Sequence, residues 1–139
     1  MAISFNHVTN TISNPLETKI SQNGDTAYAI GYRDIPQNSQ SAGYTCVLSD
    51  AGKHIFHPST DATARTFTIP ANSSVDYTVG TAISFVNMTS QVVSIAITTD
   101  TMYLAGTGTT GTRSLAQYGT ATALKMTSTT WIISGAGLT

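Results

Sequence analysis

Between residues 65 and 87 large apolar side chains alternate with hydroxyls so regularly that two strands and a corner can be read directly. Thr66, Phe67, Thr68 and Ile69 show the period of two expected of a strand with one buried face. Pro70 has no N–H to donate and ends that ladder. Ala71, Asn72, Ser73 and Ser74 bring turn chemistry, since short side-chain oxygens bond nearby backbone groups. Val75, Tyr77 and Val79 alternate again, Gly80 allows a sharp reversal, and residues 82–86 form the next strand.

The same cadence runs on either side. Residues 44–48 read as a strand, 49–52 as a turn, and 53–57 as a second strand closing a hairpin. Val93, Ile95 and Ile97 mark one face of a strand over 92–98, and Met102, Tyr103 and Leu104 start a short one. Residues 106–111 are a glycine-rich loop, and 114–118 admit one helical turn. Strands over 121–126 and 130–134 complete the chain. The pattern predicts an all-β fold, a β-sandwich or small barrel of about eight short antiparallel strands. No segment holds a helical period, and none repeats another, which argues against a solenoid.

Residues 1–40 differ in pattern from the rest of the chain, which divides it into 1–40 and a β-domain of 41–139. Ile3, Phe5, Val8 and Ile12 are apolar anchors scattered among polar residues, and Tyr28, Ile30 and Tyr32 alternate with small ones. One reading is an extended N-terminal arm with one or two edge strands that docks on a neighbour, with Tyr28 and Tyr32 as contact residues. The other is an ordinary first strand pair of the same sandwich.

Composition sharpens the picture. Six Lys/Arg and seven Asp/Glu make only 9% of the chain charged, against about a quarter in an ordinary globular protein. Hydroxyls take their place, with 25 Thr and 15 Ser. Low charge weakens the repulsion that keeps proteins apart. A surface partly covered by copies of the chain or by a larger assembly is the expectation, with a Thr-rich monomer as the alternative. A net charge of -1 gives no electrostatic basis for nucleic-acid binding. Cys46 is alone and is expected to be a buried, inert thiol. The N-terminus has no signal-peptide pattern, and no apolar run approaches the roughly 18 residues of a membrane span.

Candidate chemistry is sparse. His54 and His57 lie near Asp50 and Asp61, but positions three apart on a strand face opposite ways, and a metal needs three or four converging ligands. The third histidine, His7, lies in the arm. No nucleophile elbow is present, and six of the seven acids are Asp, mostly in turns. The loop over 106–111 lacks the lysine and the strand-to-helix setting of a phosphate loop. Asn72 and Asn87 match glycosylation acceptors by chance, given no secretory signal. Trp131, beside Ile132 and Ile133, reads as core. These residues predict no enzyme, no cofactor and no metal.

Thr66 to Ser74, then Val79, Gly80, Thr81, Ala82 and Ile83, and finally Trp131, Ile132, Ile133, Ser134 and Gly135, resemble a β-rich module of tailed-bacteriophage structural proteins. The resemblance covers about residues 44–139. It implies a virion component, commonly trimeric, of the head-decoration or tail-fibre type, made in the bacterial cytoplasm, and it transfers no active site. No heptads or repeats supply a fibre shaft, so a capsid decoration (cement) protein is the expected role. A homotrimer would then bind the major capsid protein across capsomer junctions, where its symmetry matches the local threefold. Ile3, Phe5, Val8 and Ile12 would anchor the arm to the shell. Neither nucleic acid nor membrane is an expected partner. The alternative is a tail-fibre or tail-tip domain that recognises a host surface glycan or protein.

Overall fold

The structure, a computed structural model, describes residues 34–139, together with the backbone of four short strands before them. Backbone contacts divide the chain into Met1–Arg33 and Asp34–Thr139. In the first unit β1 (Ser4–Asn6) pairs antiparallel with β2 (Thr11–Ser13), and β3 (Lys19–Ile20) with β4 (Tyr28–Ala29).

The second unit is a curled nine-stranded sheet, a half-barrel, so the all-β expectation holds. Its strands are β5 (Gln37–Ser39), β6 (Tyr44–Thr45), β7 (His54–His57), β8 (Arg65–Ile69), β9 (Ala82–Asn87), β10 (Val93–Ile97), β11 (Thr101–Leu104), β12 (Arg113–Thr127) and β13 (Thr130–Leu138). The expectation of antiparallel strands is corrected, because five of the eight pairings are parallel. One wing stacks β5, β7 and β9 in parallel, and the other stacks β6, β8 and β10. The chain shuttles between wings, so each strand joins the one before last. Successive turns differ in length: Gln37 sits beside His54, and His54 beside Ser84. That inequality is why the winding leaves no period in the sequence.

The expected hairpin of residues 44–57 is therefore also corrected. After β6 the chain enters a 3₁₀ turn over Leu48–Asp50. Asp50 there reaches back to the Val47 N–H at 2.8 Å, and Gly52 N–H bonds Ala82 O at 2.8 Å. Those two contacts send β7 to the other wing. The helical turn expected over 114–118 is strand, part of the 15-residue β12. Residues 75–79 form no strand, although Tyr77 is buried.

β12 joins the wings. Its first residues pair antiparallel with β10 (Val93 beside Leu115) and Thr120–Leu124 pair with β9. Along its other edge runs β13, which in turn carries β11 in parallel. The β12–β13 register slips between Leu115 and Thr120, where Tyr118 takes φ 60°. Inside, Phe67 stacks on Phe85 with centroids 6.4 Å apart, and Tyr77 meets Trp131 edge-on at 5.6 Å. Ile55, Ile69, Ile83, Val93, Ile95 and Ile133 fill the space around them. Burying each such side chain stabilises the fold by about 1.5–3 kcal/mol. The expectations for Trp131 as core and Cys46 as a buried thiol hold.

Gly135 marks the tightest approach within the β12–β13 pair. A Cβ there would lie 2.1 Å from Thr120 O and 2.5 Å from Ala121 Cα, both backbone atoms. Gly135→Ala should cost about 1–3 kcal/mol, the usual penalty of overpacking, read as a lower urea midpoint with unchanged m-value.

Candidate functional site

Three clusters of buried polar side chains and one exposed apolar row are what the described residues offer for function. The first cluster centres on Asp50, which is fully buried. Its carboxylate accepts hydrogen bonds from Tyr44 Oη (2.8 Å), Asn38 Nδ2 (2.9 Å) and Val47 N (2.8 Å). Three donors and no cation satisfy it, the arrangement that permits a buried charge. Burial, then the bond to Asp50, pushes the Tyr44 phenol up to about 12. Burial, reinforced by the Asp50 charge, also lifts the Cys46 thiol to about 12, which keeps it protonated and unreactive.

The second cluster lies at the corner between β7 and β8. Arg65 Nε donates to Asp61 Oδ2 at 2.8 Å, and Thr63 N–H to Asp61 Oδ1 at 3.2 Å. The Arg65 hydrogen bond holds the Asp61 carboxyl below its ordinary 3.8, against the opposing pull of burial. His57, fully buried, bonds Gln40 O through Nδ1 at 2.8 Å and lies 3.6 Å from Asp61. His54, half-buried, uses Nδ1 on Ile35 O at 3.0 Å. The two imidazoles thus diverge, as the strand period requires. Among the described residues no three His, Cys, Asp or Glu side chains converge as metal ligands. Asn87, one of the two glycosylation-type matches, is buried and clamps the β9–β10 corner through Gln91 O and Leu115 O.

The third cluster surrounds Lys125, which is 1% exposed. Its Nζ donates to Tyr77 O at 2.7 Å and to Asn72 Oδ1, and it lies 5.8 Å from the centre of the Trp131 ring. Asn72 N–H is itself held by Asp100 Oδ2 at 3.0 Å. A strand-period signal for this lysine exists: Ala121, Ala123 and Lys125 share the inward face of β12.

The outward face shows the converse. Tyr103, Ile132, Leu124 and Ala82 occupy one cross-strand row, since each is the register partner of the next. Tyr103 is 41% exposed, Leu124 37%, and Met126, two residues along β12 from Leu124, 49%. Val79, 61% exposed, stands beside the row, because its neighbour Gly80 donates to Lys125 O.

Of the six residues expected at a partner interface, Phe5, Ile12 and Tyr28 fall on the backbone strands β1, β2 and β4. Ile3, Val8 and Tyr32 lie outside the described residues. Among the described residues no helix is long and apolar enough to cross a membrane. No family model matches the chain, and comparison with curated proteins finds no match.

The polar clusters can be tested by substitution and by pH. Asp50→Ala strands three donors, each costing about 1–3 kcal/mol when left buried and unpaired. The variant should lose about 3 kcal/mol or more on that basis, measured by chemical denaturation. For Asp61 the folded carboxyl titrates below its unfolded counterpart, so its stabilisation is complete above the unfolded value and is lost as pH falls through the folded one. Denaturation midpoints should drop on the acid side of about pH 4, and Arg65→Met should flatten that part of the profile.

Proposed function

We propose that the chain is a virion structural protein of a tailed phage, acting as a homotrimeric capsid decoration protein that binds the major capsid protein across capsomer junctions. The observation that carries this reading is the apolar row of Tyr103, Ile132, Leu124 and Ala82, with Met126 and Val79 beside it, on the outer face. Large apolar side chains point outward from β12 while Ala121, Ala123 and Lys125 point inward. A chain with 9% charged residues offers little repulsion to keep such faces apart. Contiguous exposed apolar surface of this kind serves association. The polar clusters, by contrast, spend their side chains on one another and on backbone atoms that hold turns and strands in place, which supports a scaffold in preference to an enzyme. In this reading residues 1–12 add a second attachment to the shell, and many modest contacts sum by multivalency.

A tail-fibre or tail-tip receptor-binding domain is the second reading, and the parallel winding favours it. Among the described residues β5 and β6 each pair on one edge only. An open outer turn of this kind is geometry that a shaft could extend.

Light scattering on the purified protein, then mixing with capsids that lack it, tests the proposal. The expected result is a trimer that saturates heads and raises their resistance to heat. Leu124→Lys should give a folded monomer, and deletion of residues 1–12 should leave the β-domain folded while abolishing docking. A wild-type monomer that ignores heads sinks the reading, and binding to host cells in its place transfers the case to the receptor-binding alternative.

A further inference from the structure

The turn after β8 and the inward face of β12 meet at a buried amine that no ion pair occupies. Lys125 Nζ touches Asn72 Oδ1, which places the amine beside the carboxamide carbon of Asn72. Its other neighbours are the Tyr77 carbonyl at 2.7 Å and the Trp131 ring. Among the described residues the carboxylate within ion-pair distance of a basic side chain is Asp61, beside Arg65 and His57, so no carboxylate holds this ammonium.

We propose that Lys125 and Asn72 join through an intramolecular isopeptide bond, with Asp100 as the proton carrier. The inference goes beyond the reading as a virion protein and does not rest on it. Both partners are fixed before any reaction. Lys125 is pinned by its backbone, its N–H to Thr81 O at 2.8 Å and its carbonyl to Gly80 N–H at 2.8 Å. Asn72 sits in a turn closed by Ser74 and Val75 N–H on Ala71 O, and its own N–H is anchored on Asp100. Holding two reactants in contact replaces an improbable encounter with a unimolecular step. Among the described residues none accepts a hydrogen bond from Asn72 Nδ2, and Asn72 is only half-buried, so the departing nitrogen has a way out.

The step balances without an oxidant or co-reactant. The Lys125 ammonium gives one proton to the Asp100 carboxylate that holds Asn72 N–H, relayed through a water because no described carboxylate lies within ion-pair distance of the amine. The freed lone pair attacks Asn72 Cγ to form the new C–N bond. A second Nζ proton passes to Nδ2, the Cγ–Nδ2 bond breaks, and ammonia leaves, taking the proton held by Asp100. The product is a secondary amide between β12 and the turn over residues 71–75, and the carboxylate of Asp100 is regenerated. An amide there loses the charge of Lys125 and keeps an N–H to donate to Tyr77 O.

Mass spectrometry of the tryptic digest decides the matter, because peptide masses are independent of processing at the N-terminus. Trypsin cuts after Arg65 and Arg113 but not at an acylated lysine. The wild-type protein should release one branched species joining residues 66–113 to 114–139, lighter by one ammonia than the sum of its parts. Lys125→Arg and Asn72→Ala should each abolish that species, and Asp100→Ala should leave a mixture of bonded and free forms. Ordinary cleavage after Lys125 in the wild-type protein, with both peptides at full mass, overturns the bond. Complete bonding in Asp100→Ala overturns the part assigned to Asp100.

Discussion

Backbone pairing along β12 is what makes one sheet of two wings. Neither parallel stack shares a ladder with the other; each is hydrogen-bonded to a different stretch of this one strand. The strand is suited to that position by what it turns inward. Leu115 faces the core near one end, then Ala121 and Ala123 turn small side chains inward beside their register partners Phe85, Ile83 and Ile133. Close-packed interiors need this alternation of small and large. Gly135, pressed on the backbone of Thr120, shows how little slack the pair β12–β13 retains.

Much of this architecture was legible along the chain. The alternation at Thr66, Phe67, Thr68 and Ile69, the stop at Pro70 and the strand after Gly80 are local facts, fixed by pleat geometry and by proline's missing donor. Pairing is a different kind of fact. Ser49, Asp50, Ala51 and Gly52 look like a hairpin turn because turn chemistry is the same whether a chain doubles back or crosses to another wing. The decision lay with Asp50, whose carboxylate binds not only Val47 in its own turn but also Tyr44 and Asn38, side chains that reach it from other strands. Hydrophobicity also misleads on β12. By side-chain size Leu124 and Met126 belong inside, yet they point out and Lys125 points in, because Asn72, Tyr77 and Trp131 together receive its amine.

The buried polar groups share a role that explains their presence. Asp50 sits in the turn after β6, Asn87 at the end of β9 and Lys125 on β12 against the turn after β8, and each binds atoms of a second segment: Asn38 Nδ2, Leu115 O and Tyr77 O. Apolar packing is non-directional and would tolerate several routes between the wings. A carboxylate that must collect three donors, or an ammonium that must find Tyr77 O, tolerates one. These groups therefore specify connectivity, and the surrounding isoleucines and phenylalanines supply the bulk of the driving force.

The position of β12 after both stacks has a bearing on biosynthesis. A ribosome delivers β5 through β10 first, so both parallel stacks emerge before the strand that unites them. Each stack alone is a short parallel ladder with an open apolar face, the kind of non-local pairing that forms slowly. Cooperative closure must wait for residues 113–138, which follow both stacks in the chain. In the interval, Ile83, Phe85, Val93 and Ile95 stand uncovered along the edge that β12 will occupy. A crowded nascent chain of this design is most vulnerable to its neighbours on the same messenger in the interval before β12 emerges.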